Sequence, residues 1–138
     1  MDNLKDKIVI FTFSIFSIFL SGCDNHDIKE AEKLSGLNLN NKVKFEKKKE
    51  QWNNFNGNGF KILVYNITDI NYFNNHKNNK NITEFDFCDR NNPFANSEIT
   101  EFINNGKGYY YSFFSEQESK ILVVDMKNGK MIYYYTSM

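Results

Sequence analysis

Three runs in the last third of the chain, Tyr109 to Phe114, Lys120 to Asp125 and Met131 to Thr136, have strand length and are rich in β-branched and aromatic residues. Ser115 to Ser119 separates the first pair, and Lys127-Asn128-Gly129 separates the second. Asn-Gly between alternating runs is the strongest short-range hairpin signal, because the turn residues must accept φ > 0. The tail is therefore expected to be an antiparallel meander, and the rest of the domain must supply its cover.

That cover reads as follows. Ile28 to Ser35 places Ile28, Ala31 and Leu34 on one side and Glu30, Glu32 and Lys33 on the other, with Asp27 as N-cap and Gly36 as C′ residue, which predicts a brief amphipathic helix. Val43 and Phe45 alternate with Lys42, Lys44 and Glu46, the period of a half-buried strand. Phe60 to Thr68 is almost continuously apolar and predicts a central strand covered on both faces. Between these two strands, Trp52 to Gly59 is expected to be the loop of a long hairpin. Asn71 to Asn81, dominated by asparagine, is expected to be a mobile loop. Ile82 to Phe87 alternates again, with Glu84 and Asp86 opposite Phe85 and Phe87, and Ser97 to Phe102 suggests a short capped helix ending near Gly106. A length of 138 residues leaves room for one core. The fold class is α+β: a small, mainly antiparallel sheet of about five strands with one or two short helices, in a single domain over residues 28–138.

The first residues have a different character. Met1 to Lys7 is short and polar, and Ile8 to Leu20 is an uncharged apolar run. About 13 helical residues reach about 20 Å, short of the about 30 Å hydrocarbon core, so a cleaved leader is a better reading than a permanent span. The run closes on Leu20-Ser21-Gly22-Cys23. This resembles the bacterial lipoprotein signal, in which an aliphatic residue and two small ones precede a cysteine that is acylated and becomes the first residue of the mature protein. The resemblance implies a signal peptide over residues 1–22, a tether over 23–27, lipidation of Cys23 and a place on the extracytoplasmic face of the bacterial cell membrane. Asp24 resembles the residue that favours retention at the inner membrane in many Gram-negative lipoproteins. A fainter resemblance covers most of the remaining chain. The early helix ending in Leu-Ser-Gly, the loop Phe55-Asn56-Gly57-Asn58-Gly59 and the terminal hairpin Asp125 to Tyr135 look like a group of small uncharacterised bacterial proteins whose loop tends to read Gly-Phe-His-Gly-Asp-Gly. Asn56 and Asn58 stand where that pattern has His and Asp.

Composition narrows the function classes. With 17 Lys+Arg against 17 Asp+Glu, no global field draws the chain to nucleic acid. The two cysteines are too far apart, and the two histidines too few, for a zinc module, so no metal and no cofactor is expected. Groups for catalysis are sparse: His26 sits on the tether, His76 in the Asn-rich stretch, and Cys88 is without a disulfide partner in the chain once Cys23 is acylated. Glu84, Asp86 and Asp89 lack the spacing of a calcium loop. The expectation is a protein that is not an enzyme. Lys42, Lys44, Lys47, Lys48 and Lys49 form the one dense basic stretch, suited to an edge strand that resists aggregation. Tyrosines on the sheet face away from the core would offer a rigid amphipathic surface, so Trp52, Phe55, Tyr109, Tyr111, Tyr133 and Tyr135 are the candidate partner-binding residues. These readings converge on a lipid-anchored envelope protein that binds another protein, for instance as an immunity or inhibitor lipoprotein. The alternative is a structural or accessory subunit of an envelope complex.

Overall fold

A computed structural model describes residues 27–53, 56–76, 82–86, 97–103 and 105–138. The chain divides into two units, Met1–Glu30 and Ala31–Met138. Of the first, residues 27–30 are described, and they are helical. Asp27 therefore lies within helix rather than at a cap, and residues 23–26 of the expected tether lie outside the described residues.

The second unit opens with a helical segment, α1 (residues 31–35). Its end is built as the sequence suggests: Gly36 adopts φ +74°, and its N–H donates to the Glu32 carbonyl at 2.7 Å, closing the helix with a left-handed cap. The chain then forms a six-stranded sheet from β1 (Val43–Trp52), β2 (Gly59–Ile67), β3 (Thr83–Asp86), β4 (Lys107–Phe114), β5 (Glu118–Asp125) and β6 (Lys130–Ser137), in the order β1-β2-β6-β5-β4-β3. Every neighbouring pair is antiparallel. A short helix, α2 (Ile70–Asn75), follows β2, and a 3-10 helix (Glu98–Phe102) precedes β4. The architecture is the expected α+β one, with six strands where about five were read.

The central position of β2 follows from its composition. Paired with β1 on one side and β6 on the other, it buries Ile62, Leu63, Val64 and Tyr65 in succession, which only cover on both faces permits. On one face Ile62, Val64, Phe85, Ile121, Val123, Ile132 and Tyr134 pack with Ile99 and Ile103. Strand alternation puts Leu63, Tyr65, Tyr109, Tyr111, Leu122, Val124, Met131 and Tyr133 on the other, and all are buried. Phe73 of α2 belongs to that second layer, where the Tyr109 hydroxyl donates to its carbonyl at 2.7 Å. The Asn38 N–H donates to the Tyr72 hydroxyl at 2.7 Å, tying the segment after α1 to α2.

Several local expectations are corrected. The Asn-rich stretch begins as helix: Asp69 accepts from the Tyr72 N–H at 3.2 Å, and Phe73 has an aromatic layer to enter. Counting asparagines missed that one buried aromatic and one cap suffice for a turn and a half of helix; residues 77–81 lie outside the described residues. The element after Ser97 is a 3-10 helix without a side-chain capping bond and ends at Phe102, because Ile99 and Ile103, both buried, set its length. Trp52 belongs to β1 rather than to the hairpin loop. The β5–β6 turn spans Met126 to Gly129, between the paired Asp125 and Lys130. Gly129 alone of its residues has positive φ (+66°), so this is a four-residue turn and not the two-residue mirror-image type.

A polar and aromatic strip at one end of the sheet

A register shift between Phe45 and Lys47 changes which way the second half of β1 points. Before it, Phe45 packs edge-on to Tyr65, with ring centroids 5.8 Å apart. After it, Lys47 and Lys49 turn to the 3-10 helix: Lys47 lies over the Phe102 ring, 5.2 Å from its centroid, and Lys49 pairs with Glu101. Lys48, Glu50 and Trp52 fall on the side of α2. The dense basic stretch is thus divided between two faces of an edge strand rather than concentrated in one field.

The cover given by α2 and the segment after α1 does not extend over the whole of that side. At the end where β1 finishes and β2 begins, the register aligns Glu50, Lys61, Tyr135, Lys120 and Phe113 across five strands. Trp52 leans on Tyr135 with centroids 6.1 Å apart, and its indole N–H donates to Glu50 at 3.1 Å. The Tyr135 hydroxyl donates to Glu118 at 3.0 Å. Lys61 lies 5.8 Å from the Tyr135 centroid, and Lys120 lies 5.9 Å from that of Phe113. Trp52 is 39% exposed and Phe113 47%. Lys48 with Glu50 and Lys120 with Glu118 form loose pairs at 3.6 Å, leaving the strip close to charge-balanced.

The six candidate partner-binding residues therefore separate. Trp52 and Tyr135 meet on this strip. Tyr109, Tyr111 and Tyr133, each 2% exposed, are core. The expectation that only one face of the sheet would be core fails because α2 and the segment after α1 bury the second. Burial pushes the Tyr111 hydroxyl up to about 12, with neighbouring Tyr72 adding to the effect, and raises Tyr109 as well, through burial first and then through Tyr111 and Tyr72. Phe55 and Cys23 lie outside the described residues, as do His26, Cys88 and Asp89. His76 ends α2, its Nδ1 2.6 Å from the Tyr72 carbonyl oxygen and its ring 4.3 Å from that of Tyr72, which is a structural role. Glu84 and Asp86 are exposed on β3, the short strand at the other edge.

Lys61 and Lys120 escaped the sequence reading as site residues. A signal existed for Lys61, a single lysine within the apolar run from Phe60 to Thr68. Among the described residues, no three His, Cys, Asp or Glu side chains gather as metal ligands, and no helix is long and apolar enough to cross a membrane. Compared with protein-family models, with curated proteins and with solved structures, the chain matches none.

Proposed function

We propose that this chain is a bacterial envelope lipoprotein, acylated at Cys23, that holds a protein partner at the extracytoplasmic face of the membrane and carries out no catalysis. The observation behind the anchor is the order of residues in the leader, an apolar run closed by Leu20-Ser21-Gly22-Cys23. A diacylglyceryl group on the Cys23 sulfur, alone or with a third acyl chain on its α-amine, would give a firm attachment, since each buried CH₂ contributes about 0.8 kcal/mol and a single chain is marginal. The partner surface in this reading is the strip where the exposed Trp52 and Phe113 and the half-buried Tyr135 stand beside Lys61 and Lys120. Aromatic residues of this kind dominate binding energy at protein interfaces. Neutralising an incoming toxin or hydrolase, as an immunity or inhibitor protein, is the form of that work we put forward.

Two measurements test the two halves. Metabolic labelling with a palmitate analogue in a bacterial host is expected to mark the wild-type chain and not Cys23→Ser; retention of Met1 with an unmodified Cys23 thiol would defeat the anchor. Envelope extracts are expected to yield a stoichiometric protein on the wild-type chain, with recovery reduced about tenfold or more by Trp52→Ala or Tyr135→Ala. Absence of any such protein, together with unchanged toxin sensitivity on deletion, would defeat the binding role.

A further inference from the structure

The hairpin between β1 and β2, together with the start of the 3-10 helix, encloses an open recess of about 440 Å³ lined by Gln51, Trp52, Asn53, Asn58, Gly59, Phe60 and Glu98. Gln51 and Phe60 are cross-strand partners and so point to the same side of the sheet, the side of Tyr134 and the 3-10 helix. This is the reverse of the strip described above, with Trp52 at the lip between them.

The walls are held from behind. Phe60 leans on Tyr134, their centroids 6.4 Å apart, and the Tyr134 hydroxyl donates to Glu98, fixing that carboxylate. The loop is pinned through its backbone: the Asn53 N–H donates to the Asn58 carbonyl at 2.7 Å, the Gly57 N–H to the Asn53 carbonyl at 3.0 Å, and the Asn58 N–H to Asn56 Oδ1 at 3.0 Å. Gly57, at φ +70°, makes the reversal possible.

The lining selects a ligand chemistry. Among the described residues it contains a carboxylate and no lysine or arginine, so a phosphate or carboxylate would meet like charge there. An apolar ligand would strip water from Gln51, Asn53, Asn58 and Glu98 without returning hydrogen bonds, which is costly. Each carboxamide both donates and accepts, the requirement for holding neighbouring hydroxyl or acetamido groups. Phe60 supplies apolar surface for a C–H face. The volume falls within the range of small-molecule sites and leaves room for about one or two sugar rings.

We propose that this recess binds a neutral glycan, with Gln51, Asn53 and Asn58 hydrogen-bonding its hydroxyl or acetamido groups, Glu98 accepting from one of them, and Phe60 packing against the ring. The site does not depend on acylation of Cys23 or on the strip.

Trp52 is the only tryptophan of the chain and borders this recess, so intrinsic emission is a nearby reporter of its occupancy. The full chain, in a detergent without sugar head groups, is titrated with neutral N-acetylhexosamine and hexose oligosaccharides, following emission and heat of binding together. A saturable response is expected with at least one series. Gln51→Ala and Asn58→Ala are each expected to weaken it tenfold or more with an unchanged thermal midpoint, whereas Phe113→Ala on the strip leaves it unaltered. Absence of saturable emission change and heat with both series overturns the proposal. Wild-type affinity in both recess variants overturns it too, as does saturation by an uncharged peptide in place of sugar.

Discussion

Asp125 shows how one side chain can organise a sheet end. It is fully buried on β5, and its carboxylate accepts from the Lys107 N–H at 3.3 Å, the Asn128 N–H at 3.1 Å and the Asn128 side-chain amide at 2.9 Å. A Cβ at Gly106 would lie 2.5 Å from its Oδ2, so glycine there is a condition of the arrangement. Asp125→Ala removes three hydrogen bonds to a charged acceptor, and a loss of about 2–3 kcal/mol is expected in urea unfolding, with Asp125→Asn recovering part of it. The buried phenols make a second prediction at this scale. Tyr109, Tyr111 and Tyr134 are all raised above the ordinary tyrosine range, burial being the first cause in each. In the unfolded chain they ionise near pH 10, while the folded protein still holds those protons. The folded state therefore binds more protons above that pH, and stability must fall as pH rises from about 10 through 12. Denaturation midpoints across that window, read beside phenolate absorbance, check it; a flat profile would contradict the burial of these hydroxyls.

At the scale of elements, the edge strands divide the protective work. β3 is only four residues long and carries Glu84 and Asp86, and long β1 carries Lys44, Lys47, Lys48 and Lys49. Lysine on an exposed edge makes pairing with another sheet unfavourable. The variant Lys47→Val with Lys49→Val is expected to keep its strand and to aggregate at concentrations where the parent stays monomeric, as light scattering would show. It also loses the Glu101 pair, whose exposed position makes that a minor matter for stability. The elements also show where reading ran ahead of the residues or behind them. The C-terminal meander, the Gly36 cap and the central strand from Phe60 were legible because alternation, glycine and an unbroken apolar run are local signals. The helix after Asp69 was not, since six residues with four asparagine or isoleucine positions carry no periodic pattern, and Phe73 needs a distant layer to enter.

For the whole molecule, the decisive feature is a sheet with a core on each face. Leu122, on β5 between β6 and β4, is fully buried, and Leu122→Ala is expected to cost about 2–5 kcal/mol. Amide exchange should be slowest in β2, β6 and β5, which are paired on both sides, and fastest in β3, paired along only four residues.

The amino-acid pattern alone determined the α+β class, the antiparallel meander and the lysine-bearing strand, because each is written in spacings of a few residues. Which aromatic side chains a partner could reach was decided only by the tertiary structure. Tyr111 and Phe113 share one strand face and one kind of side chain, yet Tyr111 is buried and Phe113 exposed. The difference lies in how far the cover from α2 and the segment after α1 extends along the sheet, a contact between residues remote in sequence that no local period encodes.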